Sequence, residues 1–257
     1  MRLIIMPDPH SATRLAAIEI ASLMTARNSP VLGLATGRTM EGVYRDLCVM
    51  HREEGLDFST TTSFNLDEYA GLSADDRRSY HHYMNSLLFN HVNIRPSAAH
   101  LPAGDASDLD AECTAYEKLI ETSGGIDLQL LGIGDTGHIG FNEPPSPFDS
   151  RTRCVALNRK TRIQNAGMFG GNPDNVPTHA LTMGVGTILE ARHLLLLALG
   201  NSKAAIVAKA LEGAVGPEVS ASAIRLHPQC TVILDAESAS TLSAETRSQA
   251  LYQESQD

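Results

Sequence analysis

The chain has 257 residues, 42% of them hydrophobic and 19% charged, with no tryptophan and a formal net charge of −10. Such a chain is long enough to bury a large core, and its acidity excludes a general affinity for nucleic acid, which needs a basic surface. No apolar run nears the roughly 20 residues that span a bilayer, and the opening "MRLIIMPDPH" meets proline too soon for a signal peptide, so cytoplasmic residence away from membranes is expected.

In chain order, "RLIIM" reads as a strand and "ATRLAAIEIASLMTAR" as the helix after it. "PVLGLAT" is a second strand, followed by a helix in "TMEGVYRDLCVMHREEG", where Met40, Val43, Tyr44, Leu47 and Met50 recur at helical spacing. "TTSFNLDEY" reads as one strand, and a helix follows over residues 79–91. "DLDAECTAYEKLIETSGG" is a helix with an acidic first turn and glycines at its end, leading into the buried strand "IDLQLLGIG". Then come "RTRCVALN", the short helical "GVGTILEA", the strand "HLLLLALG", the helix "SKAAIVAKALEGAVG" and the strand "CTVILDA". The polar residues 237–257 predict a surface helix that frays.

This alternation predicts an α/β fold, a mostly parallel sheet with helices on both faces. No Pro/Gly/Ser linker divides residues 1–257, so a single domain is expected. Residues 144–180 break the regularity with "PPSP", "GGNPDN" and "VP", which suggests a lid-like excursion. Cys48, Cys113, Cys154 and Cys230 form no C-x-x-C pair, which points to neither a zinc site nor a disulfide framework.

In parallel sheets, ligands bind beyond the carboxyl ends of the strands. Four loops of that kind gather the polar residues: "GLATGRT" (33–39), "FNLDEYAGL" (64–72), "GIGDTGHIGFNEP" (132–144) and "LALGNSK" (197–203). In the first, Thr36 and Thr39 offer hydroxyls, Gly37 permits close backbone approach, and a helix N-terminus begins at about residue 39, an arrangement suited to an anion. Lys203, at the start of a helix where the macrodipole disfavours cations, makes sense opposite a phosphate. In "NLDEY", Asp67 and Glu68 alternate, so only one can face a given side.

The third loop contains Gly132-x-Gly134-x-x-Gly137, the glycine pattern of a dinucleotide site. That reading needs a helix to begin inside the glycines. Pro144, Pro145 and Pro147 follow His138 too closely for one, so the glycines are expected to wrap the backbone around His138 and a ligand.

Together, "FNLDEYAGL", "GIGDTGHIGFNEP", "SRTR", "HALTMGVGTILEA", "LALGNSKA" and "LHPQC" resemble the glucosamine-6-phosphate deaminase family along nearly the whole chain. The resemblance implies a modified Rossmann-like fold and conversion of glucosamine 6-phosphate and water into fructose 6-phosphate and ammonia, with no metal or cofactor. It assigns Asp67 to proton transfer between carbon 2 and carbon 1. Ring opening falls to His138, with Glu143 fixing its tautomer and Thr136 in the same group. Thr36, Gly37, Arg38, Thr39 and Lys203 would hold the phosphate. The partner implied is a small phosphosugar, and family members range from monomers to hexamers, which leaves a homo-oligomer open.

Three positions depart from the family pattern. Thr136 stands where an acid is usual, with Asp135 one step away. Gly167 stands where the family has a phosphate-binding arginine, and Arg38 is the cation expected to replace it. Arg153 matches one member of a basic pair that binds N-acetylglucosamine 6-phosphate as activator, but Val155 replaces the other, so such activation is expected to be weak or absent. Alternatives on the same fold are a galactosamine-6-phosphate deaminase and a 6-phosphogluconolactonase, although the latter lacks the "FNLDEY" carboxylate and the "GFNEP" glutamate. A sugar-phosphate sensor would be expected to carry an attached helix-turn-helix segment ahead of the first strand.

Overall fold

The computed structural model describes residues 1–252. The chain runs β1 (Arg2–Met6), α1 (Pro9–Ala26), β2 (Val31–Leu34), α2 (Arg38–Glu54), β3 (Thr62–Asn65) and β4 (Asp67–Tyr69). It continues through α3 (Tyr80–Leu87), β5 (Ala99–His100), α4 (Leu109–Thr122), β6 (Leu128–Leu131), β7 (Arg153–Ala156) and α5 (Arg159–Asn165). β8 (His179–Thr182), α6 (Val185–Leu189), β9 (Leu194–Ala198), α7 (Ala204–Glu212), β10 (Cys230–Asp235), α8 (Ala244–Gln249) and β11 (Leu251–Tyr252) complete it.

The main sheet has eight strands in the order β11-β1-β10-β9-β6-β2-β3-β5, and every pairing between them is parallel. β6, β9 and β10 are buried along their whole length, which is why their sequences are apolar without alternation. Asp8 caps α1 by accepting the Ser11 N–H, so the helix begins at Pro9, three residues before the expected start.

The run 61–69 is not one strand. Leu66 donates its N–H to Leu34 O (3.0 Å), continuing the ladder of β3, while its carbonyl accepts the Met183 N–H (2.7 Å). The chain thereby leaves the main sheet and enters a second, antiparallel sheet ordered β4-β8-β7. The excursion after residue 144 supplies β7 and α5 between its turns. β8 was hidden by its four-residue length and β5 by its two residues. At the C-terminus the expected helix shortens to α8, and β11 then pairs with β1 at the sheet edge; the remainder of that expectation, 253–257, lies outside the described residues.

Ser150 joins the excursion to α6: its carbonyl accepts the Gly186 N–H (2.9 Å) and its hydroxyl accepts the Val185 N–H (3.0 Å). A Cβ at Gly184 would fall 2.0 Å from Ser150 O, whereas one at Gly167 would meet nothing within 4 Å. Gly184→Ala should therefore lower stability by about 1–3 kcal/mol, and Gly167→Ala by less than about 0.5 kcal/mol, as read by urea denaturation.

Candidate functional site

The loops singled out in the sequence leave β9, β6, β2 and β3, which are four consecutive strands of the main sheet. Their carboxyl ends lie side by side, so the loops converge by construction. Gly37 has φ +111° and ends the loop before α2, leaving the N–H groups of Arg38 and Thr39 free of intrahelical partners, while the Met40 N–H bonds Gly37 O. Thr36 and Thr39 are half-buried, and Arg38 is exposed at the first position of α2.

The two adjacent carboxylates separate by role. Glu68 is fully buried and accepts the N–H groups of Tyr69 (2.8 Å), Tyr80 (3.0 Å) and His81 (3.0 Å), plus the His81 ring at 3.1 Å. It is the anchor of the α3 N-terminus. Asp67 points to the other face, is 6% exposed, and has no hydrogen-bond partner among the described residues. Burial first, and the neighbouring Glu68 charge second, push its carboxyl up to about 8.

His138 is buried, and its ring lies against Gly134: a Cβ there would fall 2.0 Å from Nε2. The turn is closed by Gly134 N–H to His138 O and Gly137 N–H to Gly134 O, both 2.9 Å. No helix begins inside these glycines, and they serve the histidine directly. His138 Nδ1 meets the Thr136 hydroxyl at 2.7 Å. Burial and then the charges of Lys203 and Lys160 bring its pKa down to about 4, with Asp135 acting in the opposite direction.

Glu143 does not fix the His138 tautomer as expected. Its Oε2 accepts the Asn158 N–H at 3.0 Å, the cap of α5, while its Oε1 is buried without a partner. Thr136 holds the imidazole instead, because it is two residues from the histidine inside the same glycine turn. Lys203 lies in the site but pairs with Asp135 at 2.5 Å.

Sequence reasoning missed the row that docks this loop. Asp67, Thr182 and Arg153 are in register across β4, β8 and β7, so their side chains share one face. The loop lies on that face. Phe141 N–H donates to Thr182 Oγ1 (3.1 Å), and Arg153 Nη1 donates to Asn142 Oδ1 (2.9 Å). Asn142 itself donates to Ile139 O and Met183 O, and a Cβ at Gly140 would lie 3.5 Å from Asp67 Oδ2. Alternation in "RTRCV" and "HALTM" could have placed Thr182 and Arg153 on strand faces, but not in register with Asp67. The Arg153 guanidinium faces the back of the loop.

A fixed anion at Nδ1 would favour the imidazolium, which a hydroxyl cannot do. Thr136→Asp should raise the His138 pKa by about 1–3 units, measured by NMR titration of the ring protons; an unchanged midpoint would show that Thr136 does not govern it.

Residues 9–233 match the family model described as glucosamine-6-phosphate isomerases/6-phosphogluconolactonase. The chain is 53% identical over 224 residues to a glucosamine-6-phosphate deaminase of Bacillus velezensis, covering 87% of this chain and 92% of that one. A solved structure of a monomeric glucosamine-6-phosphate deaminase superposes with a TM-score of 0.90 at 48% identity, covering 93% of this chain and 99% of the other. A 6-phosphogluconolactonase from Trypanosoma cruzi shares the fold alone, with a TM-score of 0.73 at 21% identity and coverage of 95% and 97%. The chain belongs to the family of glucosamine-6-phosphate isomerases and 6-phosphogluconolactonases, on its glucosamine-6-phosphate deaminase branch.

Proposed function

We propose that this enzyme converts glucosamine 6-phosphate and water into fructose 6-phosphate and ammonia, with Asp67 and His138 as its acid–base pair. The observation that carries the assignment of roles is a desolvated carboxylate without a hydrogen-bond partner, set against the loop that holds a buried imidazole. Beside them lies a helix N-terminus suited to the phosphate.

His138 stays neutral when empty, as a group that accepts a proton must. It takes the proton of the anomeric hydroxyl and returns one to the ring oxygen, opening the sugar. Glu143 Oε1, buried and unpaired, is free to receive a sugar hydroxyl or the reoriented imidazole. Asp67 removes the proton from carbon 2, giving the enolamine, and delivers it to carbon 1. Water then adds to the resulting imine at carbon 2, and ammonia leaves. The substrate's ammonium, brought against Asp67, lowers the carboxyl's pKa by opposite charge and so prepares the base.

Thr36, Gly37, Arg38, Thr39 and Lys203 hold the phosphate in this reading. Lys203 exchanges Asp135 for the dianion, and Arg38 supplies the charge that Gly167 lacks. A cytoplasmic setting, with the four cysteines free, suits a phosphosugar substrate. Among the described residues no helix is long and apolar enough to cross a membrane.

Purified protein given glucosamine 6-phosphate should release ammonia and fructose 6-phosphate in equal amounts, and no ammonia above background would refute the reading. Asp67→Asn should cut kcat by at least about 10²–10⁴-fold. In the native enzyme kcat/KM should rise with pH to a limb near 8, because the free base must lose its proton. Galactosamine 6-phosphate as the better substrate would reassign the sugar without changing the chemistry. Arg38→Ala should raise KM about tenfold, the loss of a charge-assisted contact; an unchanged KM would remove Arg38 from the phosphate site.

A further inference from the structure

Two carbonyls of the loop between β2 and α2 are each met by a tyrosine hydroxyl. Tyr44, on α2, donates to Ala35 O. The Tyr80 hydroxyl bonds Tyr69 OH at 3.2 Å. Tyr83 donates to Gly37 O at 2.8 Å. Tyr80 and Tyr83 both belong to α3, and the N-terminus of α3 is held by the Glu68 carboxylate, next in sequence to Asp67.

The peptide unit is planar and trans, so fixing a carbonyl oxygen fixes the N–H of the following residue on its opposite side. Tyr44 at Ala35 O therefore aims the Thr36 N–H. Tyr83 at Gly37 O aims the Arg38 N–H, the first free donor of α2. Gly37 O also accepts the Met40 N–H at 2.8 Å, so both of its lone pairs are occupied and the plane cannot swing. Gly37, at φ +111° with open space where a Cβ would sit, has no side-chain packing of its own to hold it there. An external clamp is what keeps this glycine from relaxing.

We propose that Tyr83 is a positioning residue for phosphate binding, and that α3, braced by Glu68, sets the spacing between the phosphate loop and Asp67. The inference rests on the phosphosugar reading of the site. Tyr83 is half-buried and touches no reacting atom in this scheme, so its effect passes through the loop backbone. The second carboxylate of "NLDEY" is thereby accounted for, since Asp67 does the chemistry while Glu68 places the helix that presents the phosphate to it.

Tyr83→Phe keeps the ring and removes only the hydroxyl, so the fold should stand. Steady-state kinetics with glucosamine 6-phosphate should show KM raised about five-fold with kcat shifted less than about two-fold, and calorimetric titration with inorganic phosphate should show the same weakening of Kd. A merely structural contact would lower the melting temperature without splitting KM from kcat. Unchanged KM and phosphate Kd in an active variant would overturn the clamp. Wild-type protein that neither binds phosphate nor turns over the sugar would overturn the reading of the site, and the clamp with it. Glu68→Gln supplies a second measurement: its looser α3 should move KM in the same direction, and a change confined to kcat would contradict the proposed spacing role.

Discussion

The site depends on one residue's backbone. Leu66 gives its N–H to the parallel sheet and takes the Met183 N–H at its carbonyl, so the chain changes sheets within a single peptide step. An unbroken strand would have carried Asp67 onward in the main sheet. The hand-over instead seats it in β4, on the face shared with Thr182 and Arg153, where the histidine loop docks. Because strand side chains alternate, Glu68 is turned by the same step toward α3. A single change of hydrogen-bond partner thereby separates a carboxylate left without a partner from one that supports α3.

The empty site holds its groups away from their ordinary ionisation. Burial drives Asp67 toward its neutral acid and His138 toward its neutral base. Both shifts come chiefly from the penalty that burial puts on charge. In the proposed reaction the substrate's ammonium comes against Asp67 and its phosphate against Lys203. Lys203 is paired with Asp135, so the loop keeps local neutrality. Thr136 keeps the imidazole oriented without biasing its charge, which leaves His138 governed first by burial and then by the surrounding charges.

Much of this was legible along the chain. Apolar runs marked the strands of the main sheet because those strands are covered on both faces. The prolines after His138 ruled out a helix, and the glycine turn does enclose the imidazole. The small sheet was not legible: its strands are three or four residues long, and the β4–β8 pairing joins segments more than 100 residues apart. The partner of Glu143 was hidden for a related reason, since nearness in sequence said nothing of the turn that aims its carboxylate at Asn158.

By itself the sequence determined the inventory: which loops carry hydroxyls, carboxylates and cations, and that they follow the ends of parallel strands. Local chemistry suffices for that, because hydrophobic period, turn residues and caps act over a few positions. Only the tertiary structure decided which carboxylate is left without a partner, which hydroxyl faces the imidazole, and which helix steadies the loop between β2 and α2. Those outcomes turn on register between distant strands and on burial, and a one-residue change in register reverses every side chain it carries.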